Sequence, residues 1–332
     1  MHDFLLDLLI CPACHAELVW QINKRNQDGI KAANAYCVSC NSQYTIVDGI
    51  ANFLCGTEQQ EDLWEQSESG LARFLLENPQ AEKRLMDSPL NTLNPADQFF
   101  RALLLEEHGL YLQARQMEEH AQRDMYTQNY LEGIQNQIEF IKEQLRECHQ
   151  PIFDLASGRC YLVEELLNVH KMPIIVSDLS PRVLHRDLAY FRALGLDAHL
   201  SFLACDARQM PLKNGSIQIM TSNLGLLNIR QPTFVLAELR RVVAGKFLAL
   251  THFYDPYDAT NASTLQELGL EQLAFEHAAL ASFRQAGWQV TIANPFRSLA
   301  KPTPVSEIIH GAMIDSLPVC ETELTWCTLI AE

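Results

Sequence analysis

Pro151-Ile152-Phe153-Asp154, Ile174-Ile175-Val176-Ser177-Asp178 and Phe202-Leu203-Ala204-Cys205-Asp206 are three short apolar runs that each end in an aspartate. Buried strands of a parallel sheet read as apolar runs of this length, and ligands of such folds sit beyond the carboxyl ends of the strands. The runs recur at the spacing of strand–helix–strand units, so three carboxylates are expected along one edge of an α/β sheet. Three acids in that position suit a nucleoside-bearing cofactor.

Next to the first acid, Asp154-Leu155-Ala156-Ser157-Gly158-Arg159-Cys160 turns through small residues into a helical stretch, Tyr161 to Val169. Such a turn lets backbone approach a ligand and aims a helix N-terminus at it. The segment resembles the first motif of class I S-adenosylmethionine-dependent methyltransferases, in which an acid precedes a loop of alternating glycines. Here only the central Gly158 is kept, with Ala156 and Cys160 in the flanking places. The downstream order is similar to that family too. Asp178-Leu179 resembles the segment whose acid accepts from the ribose hydroxyls, and Asp206-Ala207 the pair that frames the adenine. Ser216 to Ile229, containing Asn223, looks like the fourth strand and the loop beside the transferred methyl. Glu238 to Gly245 followed by Lys246 to His252 resembles the helix, turn and fifth strand. Phe283 to Trp288 and Leu324 to Ile330 resemble the last helix, turn and hairpin strand.

The resemblance covers roughly the C-terminal 200 residues. It implies an α/β Rossmann-like class I methyltransferase fold, a mixed seven-stranded sheet flanked by helices. It also implies S-adenosylmethionine held by Asp154, Ala156, Ser157, Gly158, Asp178, Leu179, Asp206, Ala207 and Asn223. Two departures stand out: Gln218 replaces a usual acid, and Ala156 and Cys160 replace glycines. Alanine substitutes for glycine easily only at negative φ, so reduced cofactor affinity or a reshaped loop is expected.

Methyl transfer is an in-line displacement at a sulfonium carbon, and much of the acceleration comes from contact between donor and acceptor with water excluded. Asn223 is the candidate to orient an acceptor oxygen or nitrogen. His252, after the fifth strand, is the candidate to take a proton, with Tyr254 lining the pocket. Tyr126 and Tyr130 are candidates to cap the cofactor.

At the N-terminus, Cys11-Pro12-Ala13-Cys14 and Cys37-Val38-Ser39-Cys40 are two Cys-x-x-Cys pairs at the spacing of a four-thiolate ribbon. Two knuckles of this kind complete a tetrahedron with no open position, so Cys11, Cys14, Cys37 and Cys40 are expected to hold a structural Zn2+. Disulfides are disfavoured because no secretory signal precedes the pairs, and a redox dithiol needs only one of them. Cys55 is expected to lie outside the site as a free thiol. The flanking Leu5-Leu6-Asp7-Leu8-Leu9 and Gln43 to Ile50 are similar to the ribbon that is fused to, or partners, methyltransferases of the translation machinery. Bacterial ribosomal RNA guanine methyltransferases share this layout.

The chain has 332 residues, 48% of them hydrophobic, enough for a sizeable core in about two domains. No apolar run reaches membrane-spanning length, and ten cysteines without a secretory signal suit a reducing cytoplasm. The formal net charge is −16, of which about −10 falls in residues 57–150. No basic concentration marks a nucleic-acid surface; Arg182, Arg186 and Arg192 fit a solvated helix face. Pro79, Pro89 and Pro95 divide the acidic segment into helices, Asp97 to Ala121 carries apolar residues, and a long helix is expected from about Thr127 to Glu147. The expected organisation is a ribbon over 1–56, a helical linker or substrate lid over 57–125, and a methyltransferase domain over 126–332. The expected acceptor is a small molecule or a translation component. A non-catalytic scaffold and a ribosomal RNA methyltransferase are the alternatives.

Overall fold

The computed structural model describes residues 1–54 and 63–332, so Cys55 lies outside the described residues. A one-turn helix α1 (Leu5–Leu8) precedes four antiparallel strands, β1 (Leu18–Asn26), β2 (Gly29–Cys37), β3 (Gln43–Val47) and β4 (Ile50–Asn52). Five helices follow: α2 (Leu63–Glu77), α3 (Pro79–Asp87), α4 (Pro95–Glu107), α5 (Tyr111–Met125) and α6 (Gln128–Leu145). Pro79 and Pro95 sit at the first positions of α3 and α4, where a missing N–H costs nothing. The apolar stretch Asp97 to Ala121 is not one helix, because the chain turns between α4 and α5 and the two pack against each other. Thr127 caps α6 by accepting from the Tyr130 N–H at 3.1 Å, which fixes the start of the long helix at Gln128.

The remainder alternates strand and helix: β5 (Ile152–Asp154), α7 (Tyr161–Leu167), β6 (Ile174–Asp178), α8 (Pro181–Leu194), β7 (Leu200–Ala204), β8 (Ile217–Asn223), α9 (Pro232–Val242) and β9 (Val243–Tyr254). Then come α10 (Ala259–Glu267), α11 (Glu271–Ala274), α12 (Glu276–Gln285), β10 (Val290–Ala300) and β11 (Thr322–Ala331). The three apolar runs are buried strands, as expected. Asp154 and Asp178 close theirs, but β7 stops at Ala204, so Asp206 stands in the loop two residues beyond. Between α9 and β9 the expected turn is missing: the helix passes directly into the strand at Val243.

All strands form one sheet in the order β1-β2-β3-β4-β7-β6-β5-β8-β9-β11-β10. From β7 to β10 it is the mixed seven-stranded α/β sheet that the motifs imply, parallel except for β11 against its neighbours. The strand order reverses at β5, flanked by β6 and β8, which puts the ligand crevice of such a sheet at the loops after these strands. The cysteine ribbon extends this sheet. β4 pairs in parallel with β7, Ile50 opposite Phe202 and Asn52 opposite Ala204. The ribbon also grips the loop after Asp206: Ile10 N–H donates to Pro211 O at 3.0 Å, Lys213 N–H to Leu8 O at 2.9 Å, and Gln209 Nε2 to Pro12 O at 2.7 Å.

Candidate functional site

The loop after β5 follows a left-handed path at three positions, Ala156 (φ +50°), Gly158 (φ +53°) and Cys160 (φ +58°). A residue with a side chain costs roughly 1–2 kcal/mol there. Alanine and cysteine have therefore kept a glycine-type path at a strain cost. Surrounding contacts hold it in place: Leu155 N–H donates to Thr221 O at 2.8 Å, Ser157 N–H to Ser177 O at 2.9 Å, and the Ser222 hydroxyl to Leu155 O at 3.0 Å. Ala156 fits because its neighbour is Gly225, where a Cβ would lie 2.7 Å from the Ala156 Cβ.

The three acids differ in their surroundings. Asp154 is fully buried and accepts from the Thr221 hydroxyl at 2.6 Å, and burial pushes its carboxyl up to about 6. Asp178 accepts from Gly158 N–H at 3.0 Å on one oxygen and from Ser180 N–H at 3.1 Å on the other. Asp206 is held by Arg208, whose Nε and Nη2 bind both carboxylate oxygens at 2.7–2.9 Å. Leu179 follows β6, Ala207 lies in the loop beyond β7 and Asn223 ends β8; all three are half-buried.

The helical segment docks on this loop. Arg159 sends its side chain between α4 and α5, pairing with Glu106 at 2.7 Å and with the wholly buried Glu118 at 2.6 Å. Arg115 bonds Arg159 O at 3.1 Å and pairs with Glu164, and its guanidinium stands 4.6 Å from both the Tyr161 and Tyr190 ring centroids. Burial works against the charge on Glu118, but Arg159 and Arg115 outweigh it and hold the carboxyl below the usual range. Arg186, expected on a solvated face, instead donates to Gly158 O at 2.8 Å from a half-buried position.

Beyond β8 and β9 the walls are aromatic. Asn223 pairs in register with Leu250, so His252 lies about 7 Å further along β9. Asn223 Oδ1 and His252 Nδ1 are buried without a hydrogen-bond partner among the described residues, and burial pushes the imidazole down to about 4. His252 lies 4.8 Å from the Trp326 ring and 5.5 Å from that of Tyr254. Trp326 seats against α6 at Gly133, where a Cβ would fall 2.4 Å from the indole. Tyr130 meets Trp326 edge-on at 5.0 Å and stacks on Tyr126 at 4.7 Å.

The sulfurs of Cys11, Cys14, Cys37 and Cys40 all lie within 4.8 Å of one another, with Cys11–Cys40 at 3.5 Å and Cys14–Cys37 at 3.4 Å. Four thiolates about 2.3 Å from a central Zn2+ stand roughly 3.8 Å apart, so the donor set fits that ion. His15 and Asn41, each following the second cysteine of its pair, take matching left-handed turns (φ +58° and +62°).

Residues 152–246 match the model of a methyltransferase domain. The match runs from the first residue of β5 into β9 and includes all three acids. No curated protein matches the chain. Among solved structures, the YcgJ protein of Bacillus subtilis is similar at 12% identity and a TM-score of 0.47, covering 59% of this chain and 97% of that one. A SAM-dependent methyltransferase from Aquifex aeolicus is 13% identical at a TM-score of 0.41, covering 58% and 88%. The geranyl diphosphate C-methyltransferase of Streptomyces coelicolor is 12% identical at 0.43, covering 60% and 78%.

Several residues around the loop after β5 escape sequence inspection. Arg208 carries a local signal, a base two places after an acid. Glu118 and Asp315 carry none, because their partners Arg159 and Tyr126 lie 41 and 189 residues away.

Proposed function

We propose that the chain is an S-adenosylmethionine-dependent methyltransferase acting on a small-molecule acceptor. Its parts are a structural zinc ribbon over 1–56, a substrate lid over 57–125 and the catalytic domain over 126–332. The observation that carries this is the left-handed loop at Ala156, Gly158 and Cys160, lying against Asp178 at the point where the strand order reverses. When bound, the cofactor supplies a methyl group on a sulfonium.

In this reading the loop backbone, Ser157 and Asp154 hold the amino-acid end of the cofactor. Asp178 and Leu179 hold its ribose, and Ala207 with the braced Asp206 borders its adenine. Asn223, with an unpartnered buried oxygen, orients the acceptor. His252 is kept neutral by burial, which weakens it as a base, so its unpartnered Nδ1 serves to hydrogen-bond the acceptor and takes a proton only as the acceptor's own is lost. The Arg159–Glu118 clasp favours a lid over a spacer, since it ties α4 and α5 to the cofactor loop itself. The net charge of −16 favours a small acceptor over ribosomal RNA, and the ten cysteines suit a reducing cytoplasm.

One observation favours a non-catalytic scaffold instead: Arg208 already occupies Asp206. Calorimetric titration of the zinc-replete protein with S-adenosylmethionine and S-adenosylhomocysteine separates the two. Micromolar binding of both, lost in Asp178→Ala with the fold intact, is the expected result. Absence of binding moves the assignment to the scaffold.

A further inference from the structure

The aromatic walls beyond β9 hold an acid that the proposed chemistry leaves unused. Asp315, in the connection from β10 to β11, accepts from the Tyr126 hydroxyl at 2.5 Å. Among the described residues no lysine, arginine or histidine pairs with it, and its second oxygen has no partner. The hydroxyls of Tyr130 and Tyr254 are likewise without a partner among the described residues. Tyr130 stacks on Tyr126 at 4.7 Å and packs in one cluster with Tyr254, and burial, together with the nearby Asp315 charge, pushes the hydroxyls of all three up. Tyr126, Tyr130 and Asp315 are half-buried, so part of the cluster remains open to a solute.

Burial raises the Asp315 carboxyl above the usual range, so the acid is neutral-leaning until a cation beside it favours its charged form. An ammonium group is such a cation. Its three donors match the free oxygens of Asp315, Tyr130 and Tyr254, and ring faces attract its charge and the carbons beside it. A neutral ligand leaves the carboxylate uncompensated, and an anion is repelled.

We infer that this cluster binds the protonated amine of an organic amine, so that the methyl acceptor is a small molecule carrying an ammonium group held by Asp315 among Tyr126, Tyr130 and Tyr254. The ammonium is the recognition handle; the methylated atom lies nearer Asn223 and His252. Calling the ligand the acceptor rests on the methyltransferase reading, whereas the cation site stands without it.

The test is calorimetric titration of the full-length, zinc-replete protein with phenethylamine, 2-phenylethanol and phenylacetate, each with and without S-adenosylhomocysteine. The amine is expected to bind at least tenfold more tightly than the alcohol, and phenylacetate more weakly still. Asp315→Asn should erase the preference for the amine while leaving S-adenosylhomocysteine binding unchanged. Equal binding of amine and alcohol, no binding of any probe at millimolar concentration, or a preference that survives Asp315→Asn overturns the inference. The ranking in the unaltered protein decides the matter if the variant does not fold. An amine preference in a protein that ignores S-adenosylhomocysteine sustains the cation site and removes the methyltransferase reading.

Discussion

Asp154→Asn tests the electrostatics of the cofactor loop. Asp154 is buried at the end of β5, and burial lifts its carboxyl from 3.8 to about 6. At about 1.36 kcal/mol for each tenfold change in proton affinity, ionising it in the fold costs up to about 3 kcal/mol more than in the unfolded chain. The sign follows from the raised value. Well below 3.8 both states are protonated and no penalty exists; as pH rises from 3.8 to about 6 the unfolded chain is ionised while the fold resists, and above about 6 the penalty is fully present. Asparagine is neutral throughout and still accepts from the Thr221 hydroxyl, and its amide can donate to Ser157 Oγ. Urea unfolding should find the variant and the parent equally stable well below pH 3.8 and the variant more stable, by roughly 1–3 kcal/mol, at pH 7. Cofactor affinity should fall at least tenfold, since the acid is proposed to face the cofactor's ammonium. A variant destabilised equally at both pH values would refute the reasoning, because the Asp154 charge would then be compensated in the fold.

Gly225→Ala brings a Cβ within 2.6 Å of Ala156 O and 2.7 Å of its Cβ, so a loss of roughly 2–4 kcal/mol is expected by thermal melting, with partial recovery in the Ala156→Gly double variant. Gly133→Ala gains up to about 1 kcal/mol of helix propensity but collides with the Trp326 indole; a net loss of stability with quenched or shifted tryptophan fluorescence is expected, and a net gain would disprove the packing. Arg159→Met leaves Glu118 buried with one fewer partner and should cost about 3–5 kcal/mol, with faster amide exchange in α4 and α5; unchanged exchange there would show that the clasp does not hold the helices. Removing zinc with a chelator should accelerate amide exchange in residues 205–213 as well as in the ribbon, since Leu8, Ile10 and Pro12 bond that loop; acceleration confined to the ribbon would separate the two.

What the sequence made legible was local or periodic. The three runs were readable because buried parallel strands are apolar throughout, and the cysteine pairs because a knuckle needs two ligands three residues apart. Asp206 was harder to place, since an apolar run does not reveal that its strand ends at Ala204. The turn expected at Ala244-Gly245 was wrong because glycine there serves the strand, with the Gln218 carbonyl 2.1 Å from where a Cβ would lie. The union of ribbon and central sheet is invisible in sequence, as β4 is a three-residue strand whose partner lies about 150 residues on. The same holds for Arg159, which reads as one more polar residue in a loop and proves to be committed to two helices.

That commitment makes the cofactor loop and the helical segment one mechanical unit. Arg159 lies between two left-handed residues, Gly158 and Cys160, so its backbone is set by the loop while its charge is set by Glu106 and Glu118. Swinging α4 and α5 away separates Glu118 from Arg159 and the Tyr161 hydroxyl, while Arg115 travels with it on α5, or drags the loop with them. The second course disrupts the Gly158 N–H bond to Asp178. Either way, access to the loop and the position of Asp178 change together. The aromatic cluster is tied to the same unit, since Tyr126, which holds Asp315, caps the C-terminus of α5, while Thr127 and Asn129 at the start of α6 bond Leu299 of β10. The two sites are therefore expected to be coupled, with S-adenosylhomocysteine altering amine affinity.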